Sequence, residues 1–175
     1  MTTVSPDAVN RQALRNAFGA FATGVTVVTV GGRTPHGMTA NSFTSVSLDP
    51  PLALVCVGRD AVMHRALTAA RRFGVSVLAA HQETVARHFA DRRRPLGAGQ
   101  FQYVDWLPGP LTGAPLIVDA LAHFECELWR CYDGGDHSIF VGALLSLDRH
   151  ADENALLFVH GRFDQLSRRE SEVTT

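Results

Sequence analysis

Residues 37–58, GMTANSFTSVSLDPPLALVCVG, place a short hydroxyl or amide side chain at almost every step of a stretch with extended character: Thr39, Asn41, Ser42, Thr44, Ser45 and Ser47. Extended backbone with small polar side chains presents N–H, C=O and O–H groups at close range. A flat heteroaromatic ring with imide edges and a phosphorylated tail needs such an array. A solvated Ser/Thr-rich edge strand accounts for the same residues equally well. A second constellation is Gly135-Asp136-His137, where a Gly-Gly turn lifts an imidazole toward a carboxamide or a phosphate. Its plain alternative is a hairpin turn whose Asp satisfies local backbone amides. The third is His160-Gly161-Arg162-Phe163. There Arg suits bidentate phosphate contact and Phe suits stacking, while a surface Arg beside a core Phe explains the same pattern.

Other chemistries lack their signatures. The sequence has no GxSxG elbow, no Walker loop and no HExxH, and Gly97-Ala98-Gly99 lacks the third glycine of a dinucleotide fingerprint. Any nucleotide is therefore expected to bind without a Rossmann unit. The eight histidines are dispersed, and no metal site is expected. Cys56, Cys126 and Cys131 fit neither a CxxC pattern nor a disulfide framework and are expected to be buried thiols in a reducing compartment.

The elements that must position these groups follow from periodicity. Residues 6–19 read as an amphipathic helix with Ser5 as N-cap, and VTVVTV reads as a strand that turns at Gly31-Gly32 into a second one. Residues 38–57 stay extended around the Asp49-Pro50-Pro51 break, because Thr, Ser and Asn compete for backbone hydrogen bonds and Pro-Pro stops a helix. Helices are predicted over 61–72 and 82–91, with a short strand FGVSVLA between them. Residues 92–115 form a long ordered loop with Phe101, Tyr103 and Trp106 as aromatic anchors. Two half-buried strands follow. The first points Ala122, Phe124, Cys126 and Leu128 inward, the second Ile139, Val141, Ala143, Leu145 and Leu147, with a turn at 132–135 between them. A last strand, LLFVH, precedes a polar tail at 167–175. Six or seven strands with three helices favour a mainly β fold, a closed barrel with peripheral helices.

Composition agrees. A chain of 175 residues supports one domain, expected to span 1–175 with its core at about 12–166. Net charge is −1 and all sixteen basic residues are scattered arginines, which argues against nucleic acid as a partner. No apolar run approaches the ~20 residues of a membrane span, and no secretory signal is visible at the N-terminus, so a cytoplasmic location is expected.

Four segments, in order, resemble the short-chain flavin reductases, the FMN-binding split β-barrel proteins that serve two-component flavin-dependent monooxygenases. They are FATGVTVVT (21–29), GMTANSFTSVSLDPPL (37–52), GDHSIFVG (135–142) and LLFVHGRF (156–163). The resemblance implies an NAD(P)H:flavin oxidoreductase that reduces free FMN or FAD with NADH or NADPH and passes it to a separate monooxygenase, and it implies a homodimer. It also implies that Met38, Thr39, Ala40, Asn41 and Ser42 line the flavin ring and ribityl chain, with Ser47 near the ring. Cys56, Val57, Gly58, Arg59 and His64 would follow the ribityl phosphate, and Arg87, His88 and Phe89 would close the phosphate or adenosine side. Gly135, Asp136 and His137 match the motif associated with the pyridine nucleotide, and His160, Gly161, Arg162 and Phe163 the segment beside it. The family often has Tyr where this chain has Phe163. No residue is expected to act as acid or nucleophile, because hydride transfer between stacked rings requires positioning and exclusion of water. The alternatives are a flavoprotein that keeps its flavin and acts on an organic substrate, and a non-catalytic flavin-binding module.

Overall fold

The computed structural model describes residues 10–150 and 153–166. These hold three α-helices, α1 (Arg11–Phe18), α2 (Val62–Ala70) and α3 (Glu83–Ala90). The strands are β1 (Thr23–Gly24), β2 (Thr26–Val30), β3 (His36–Ala40), β4 (Thr44–Leu48), β5 (Pro51–Gly58), β6 (Arg72–Val77), β7 (Trp106–Pro108), β8 (Pro115–Ile117), β9 (Ala122–Gly134), β10 (His137–Arg149), β11 (Leu156–Val159) and β12 (Arg162–Gln165). Among the described residues no helix is long and apolar enough to cross a membrane.

Seven strands form one antiparallel sheet in the order β3-β2-β6-β9-β10-β5-β4. Six antiparallel steps separate its two terminal strands, so β3 and β4 run in the same direction. Yet they are consecutive in the chain and joined only by residues 41–43. Parallel neighbours need a crossover of a dozen or more residues, so β3 and β4 cannot lie side by side. They follow one another end to end instead. The short link forces the sheet to curl until its two ends meet, and the odd strand count leaves the seam split.

The β-branched run of β2 is buried on both faces, which explains its freedom from polar alternation. Its threonines are satisfied, since Thr26 Oγ1 donates to the Ala40 carbonyl at 2.8 Å and Thr29 Oγ1 to the Pro115 carbonyl at 2.7 Å. One core face joins Val28, Val55, Phe73, Cys126 and Phe140 with Met63 and Leu67 of α2. The other packs Val25, Val27 and Leu156 against Ala86 and Phe89 of α3 and Phe101 of the long loop. Gly37 of β3 is required at this second face, because a Cβ there would lie 2.6 Å from the Phe89 ring.

Several expectations are corrected. The described helix starts at Arg11, capped by the Asn10 side chain, and Ser5 lies outside the described residues. In β10 Ser138, Phe140 and Val141 are buried, with Gly142 against Phe73, whereas Leu145 and Leu147 are exposed. Of the residues expected to point inward, Val141 is buried, Ile139 and Ala143 are half-buried, and the apolar alternation beyond them runs out onto the surface. Bulges between Val141 and Gly142 and between Leu144 and Ser146 shift the phase further. Cys131 is exposed, while Cys126 is buried. Residues 92–115 contain a 3-10 turn, Gly97–Phe101, and the ribbon strand β7. LLFVH does not end the fold, since a two-residue turn at His160-Gly161 leads into β12.

Candidate functional site

The open edge of β3 is one wall. Gly37 N–H donates to Gln100 Oε1 at 2.9 Å, and the Gly37 carbonyl accepts from Arg94 Nη2. Residues along an antiparallel strand alternate between bonding their partner and facing away. Gly37 faces away from β2, and so therefore does Thr39. No strand lies beyond β3 in the sheet, so the Thr39 main-chain N–H and C=O look out one rung past the pair capped by Arg94 and Gln100. The Thr39 hydroxyl is engaged elsewhere, donating to the Ala86 carbonyl of α3 at 2.6 Å. Met38 is half-buried against the first core, and Ala40 is buried in it.

The link between β3 and β4 comes next. Asn41 is exposed. Ser42 Oγ donates to the Cys56 carbonyl at 2.9 Å and accepts from the Cys56 N–H at 3.0 Å. The β4–β5 ladder ends at Thr44 opposite Leu54, and two residues further the same register puts Ser42 opposite Cys56. A hydroxyl thus replaces the missing backbone rung and ties the link to β5. Ser47 is half-buried on β4. Burial pushes the Cys56 thiol above its ordinary pKa, which keeps it un-ionised. Val57 is a core side chain, so only its backbone is available to a ligand.

The corner from β5 into α2 meets the turn of the β9–β10 hairpin. That turn is Gly135-Asp136, with Gly135 at φ 76° as the first central residue, a place where glycine carries no steric penalty. Arg59 Nε donates to the Gly135 carbonyl at 2.9 Å and its Nη2 to Asp133 Oδ2 at 2.8 Å. The guanidinium that the resemblance assigned to a phosphate is therefore engaged with the turn. His137 Nδ1 donates to Asp136 Oδ1 at 2.7 Å, and this bond together with the imidazole charge holds the Asp136 carboxyl below its ordinary value. A Cβ on Gly58 would sit 3.7 Å from His137 Nε2, so the imidazole lies over that glycine. On the other face of β10, His64 Nε2 pairs with Ser138 Oγ at 2.9 Å, its ring edge-on to Phe140.

The last wall joins two distant segments. The Arg87 guanidinium lies 4.9 Å over the Phe163 ring, oriented by Glu83 one turn back in α3, with its Nε 2.7 Å from Glu83 Oε1. His88 Nε2 donates to the Gln100 carbonyl at 2.7 Å. Phe89 is 0% exposed, a core side chain under β3. In the turn before β12, His160 and Gly161 both take positive φ, 49° and 76°, and the His160 N–H donates to the Gly19 carbonyl at 2.6 Å. Arg162 is exposed, and Phe163 packs edge-on to Phe158.

The side chains of Ala40, Val57 and Phe89 point into cores, and His64 is engaged with Ser138 on the face of β10 opposite His137. The other expected residues lie on β3, the β3–β4 link, β4, the end of β5, the β9–β10 turn, α3, and the turn into β12 with the start of that strand. The sequence reading missed Gln100, Arg94 and Ser138. Gln100 is 0% exposed and bonds Gly37, Pro35, Gly97 and His36. Nothing in a loop without periodicity signals a buried amide; only its docking on an edge strand does.

The family model described as the flavin reductase like domain matches residues 18–167. The chain belongs to the flavin reductase-like family. It is 59% identical to an NADH-dependent FAD reductase of Streptomyces globisporus, over 90% of this chain and 86% of that one. The flavin reductase component of a bacterial two-component tryptophan halogenase superposes with a TM-score of 0.88 at 59% identity, covering 91% of this chain and all of that one. The NADH:FAD oxidoreductase of Streptomyces globisporus C-1027, solved with NAD and FAD fragments, superposes at 0.87 with 54% identity, covering 95% and 98% of the two chains. Its family's split-barrel architecture is the fold of this chain.

Proposed function

We propose that this flavin reductase-like protein is an NADH:flavin oxidoreductase that reduces FAD or FMN as a diffusible substrate and supplies it to a separate monooxygenase or halogenase. The observation that carries this reading is the seam itself. The groups that would meet the ligand are an unpaired backbone rung at Thr39 of β3, the Asn41 amide of the β3–β4 link, the Gly135-Asp136-His137 turn, and the Arg87–Phe163 pair contributed by α3 and β12.

These residues fit a flavin. The Thr39 rung offers a donor and an acceptor to an imide edge, while Arg87 and Arg162 offer cations to phosphate. When bound, a flavin would supply the electron acceptor for hydride from a bound nicotinamide. The protein's part is to bind both rings, orient them and exclude water. Asp136 holds the His137 N–H at Nδ1, leaving Nε2 to meet the nucleotide.

The NADH-dependent FAD reductases similar to this chain weight the choice of flavin toward FAD and the reductant toward NADH. Steady-state NADH oxidation with added FAD, FMN or riboflavin tests the reading. Saturation in free flavin, with little flavin retained through gel filtration, supports it; stoichiometric retained flavin with no NADH turnover overturns it.

The same reading extends to one domain over the chain and to a homodimer. Phe18 and Phe21 are exposed, no residue of α1 is buried, and the outer face of β10 and β4 exposes Leu145, Leu147 and Leu48. Sedimentation at micromolar concentration showing only monomer would refute the dimer. The three free cysteines suit a reducing compartment, which supports the cytoplasm.

A further inference from the structure

The turn that carries His137 is held by a closed ring of hydrogen bonds. Arg59 Nε donates to the Gly135 carbonyl, the Gly135 N–H donates to Asp133 Oδ1 at 2.8 Å, and Asp133 Oδ2 accepts from Arg59 Nη2. The Arg59 main-chain N–H adds a bond to the Asp136 carbonyl at 3.0 Å. Both ends of the two-residue turn are therefore tied to the end of β5. The opposite face of β10 is pinned by His64 on Ser138. His137 thus projects over Gly58 from a loop that would otherwise be a free hairpin tip.

We propose that Arg59 is a positioning residue for the pyridine-nucleotide half of the reaction: its guanidinium clamps the Gly135-Asp136 turn through Asp133 and so fixes His137, and it does not serve the flavin phosphate. The inference rests on the reading of His137 as the nucleotide contact. Its chemistry depends on the fork of the guanidinium, which reaches a carbonyl with one nitrogen and a carboxylate with another along one edge. A lysine ammonium keeps the charge but cannot reproduce that pair of directions. Charge and geometry can therefore be separated by substitution.

The test is a kinetic comparison of Arg59→Lys, Asp133→Asn and the double variant, with His137→Ala as reference, varying NADH at saturating FAD and then FAD at saturating NADH. Arg59→Lys is expected to raise the NADH KM about fivefold, the upper range for a partly exposed ion pair, with kcat and the FAD KM within about twofold. Asp133→Asn is expected to match it, and the double variant to be no worse than either single one, because all three break one ring. A phosphate contact predicts the reverse: Lys rescues, and Arg59→Met raises the FAD KM. An unchanged NADH KM in Arg59→Lys, or additive effects in the double variant, overturns the clamp while leaving a His137→Ala defect intact. An NADH KM unchanged in His137→Ala overturns the nucleotide assignment itself and the clamp with it.

Discussion

Replacing Ser42 by Ala tests how the split seam is held. The hydroxyl makes two bonds to one residue of β5, 2.9 Å to the Cys56 carbonyl and 3.0 Å from its N–H. Each intramolecular hydrogen bond contributes about 0.5–1.5 kcal/mol net, and Ala leaves both backbone groups of Cys56 without their partner. Because Cys56 is half-buried, water recovers part of that loss. The expected destabilisation is about 1–2 kcal/mol. In a chain of this size it lowers Tm by about 2–8 °C. Urea denaturation followed by far-UV circular dichroism should show a lower midpoint with an unchanged slope.

Asn41→Ala is the matched control, since Asn41 is exposed and precedes Ser42 in the same link. Its stability should stay within about 0.5 kcal/mol of the parent, while flavin binding weakens by about 1–2 kcal/mol. The sequence alone treats the two residues as equivalent flavin contacts; the structure separates them. Equal stability of Ser42→Ala and the parent would refute the tie across the seam. Unchanged flavin affinity in Asn41→Ala would refute the placement of the ring on this link.

Glu125 is 1% exposed, and although burial pushes its carboxyl up, bonds from the Thr112 hydroxyl and N–H, Ser146 and the Leu111 N–H outweigh this and hold it below its ordinary value. A depressed carboxylate stabilises above the unfolded value of 4.5 and loses that stability as pH falls through the folded one, so Glu125→Gln should flatten the acid limb of a stability–pH profile. His36 behaves in the opposite chemical sense: burial, then the Arg94 charge, lowers it from 6.5 to about 4. Its contribution is complete above pH 6.5 and is lost progressively down to about pH 4, up to about 3 kcal/mol, and equilibrium unfolding of His36→Asn should lack that limb.

Most elements are legible from periodicity because their cores follow it: β2, β5, β6, α2 and α3 appear within a few residues of the sequence reading. The failures have physical causes. In β10 the small residues Ser138 and Gly142 are buried with Phe140 and Val141, and the space over Gly142 is filled by the Phe73 ring of β6, two strands away in the same sheet. Alternation therefore cannot show that a serine and a glycine are buried while Leu145 and Leu147 further along are exposed. Glu125 lies on the face opposite Cys126, where a polar residue is expected, but residues 109–113 cover it. The resemblance assigns Arg59 to the flavin phosphate, and nothing near it in the sequence signals the Asp133 carboxylate it pairs with, more than seventy positions away. Long-range partners of charged side chains have no local signature.

The location of the site follows from strand parity more than from any residue. With seven antiparallel strands the terminal pair is parallel, and a three-residue link makes side-by-side pairing impossible. The barrel must keep a seam where β3 exposes the Thr39 rung and β5 extends past the end of β4 to Cys56. A buried seam of that kind carries an energetic penalty unless its polar groups find partners. Gln100 and Arg94 close the Gly37 rung, and Ser42 closes Cys56. One rung, at Thr39, remains between these two repairs, beside a turn clamped to the end of β5. On the proposed reading the flavin's planar donor–acceptor edge would complete the ladder there, and no acid, base or nucleophile would be required of the fold that holds it.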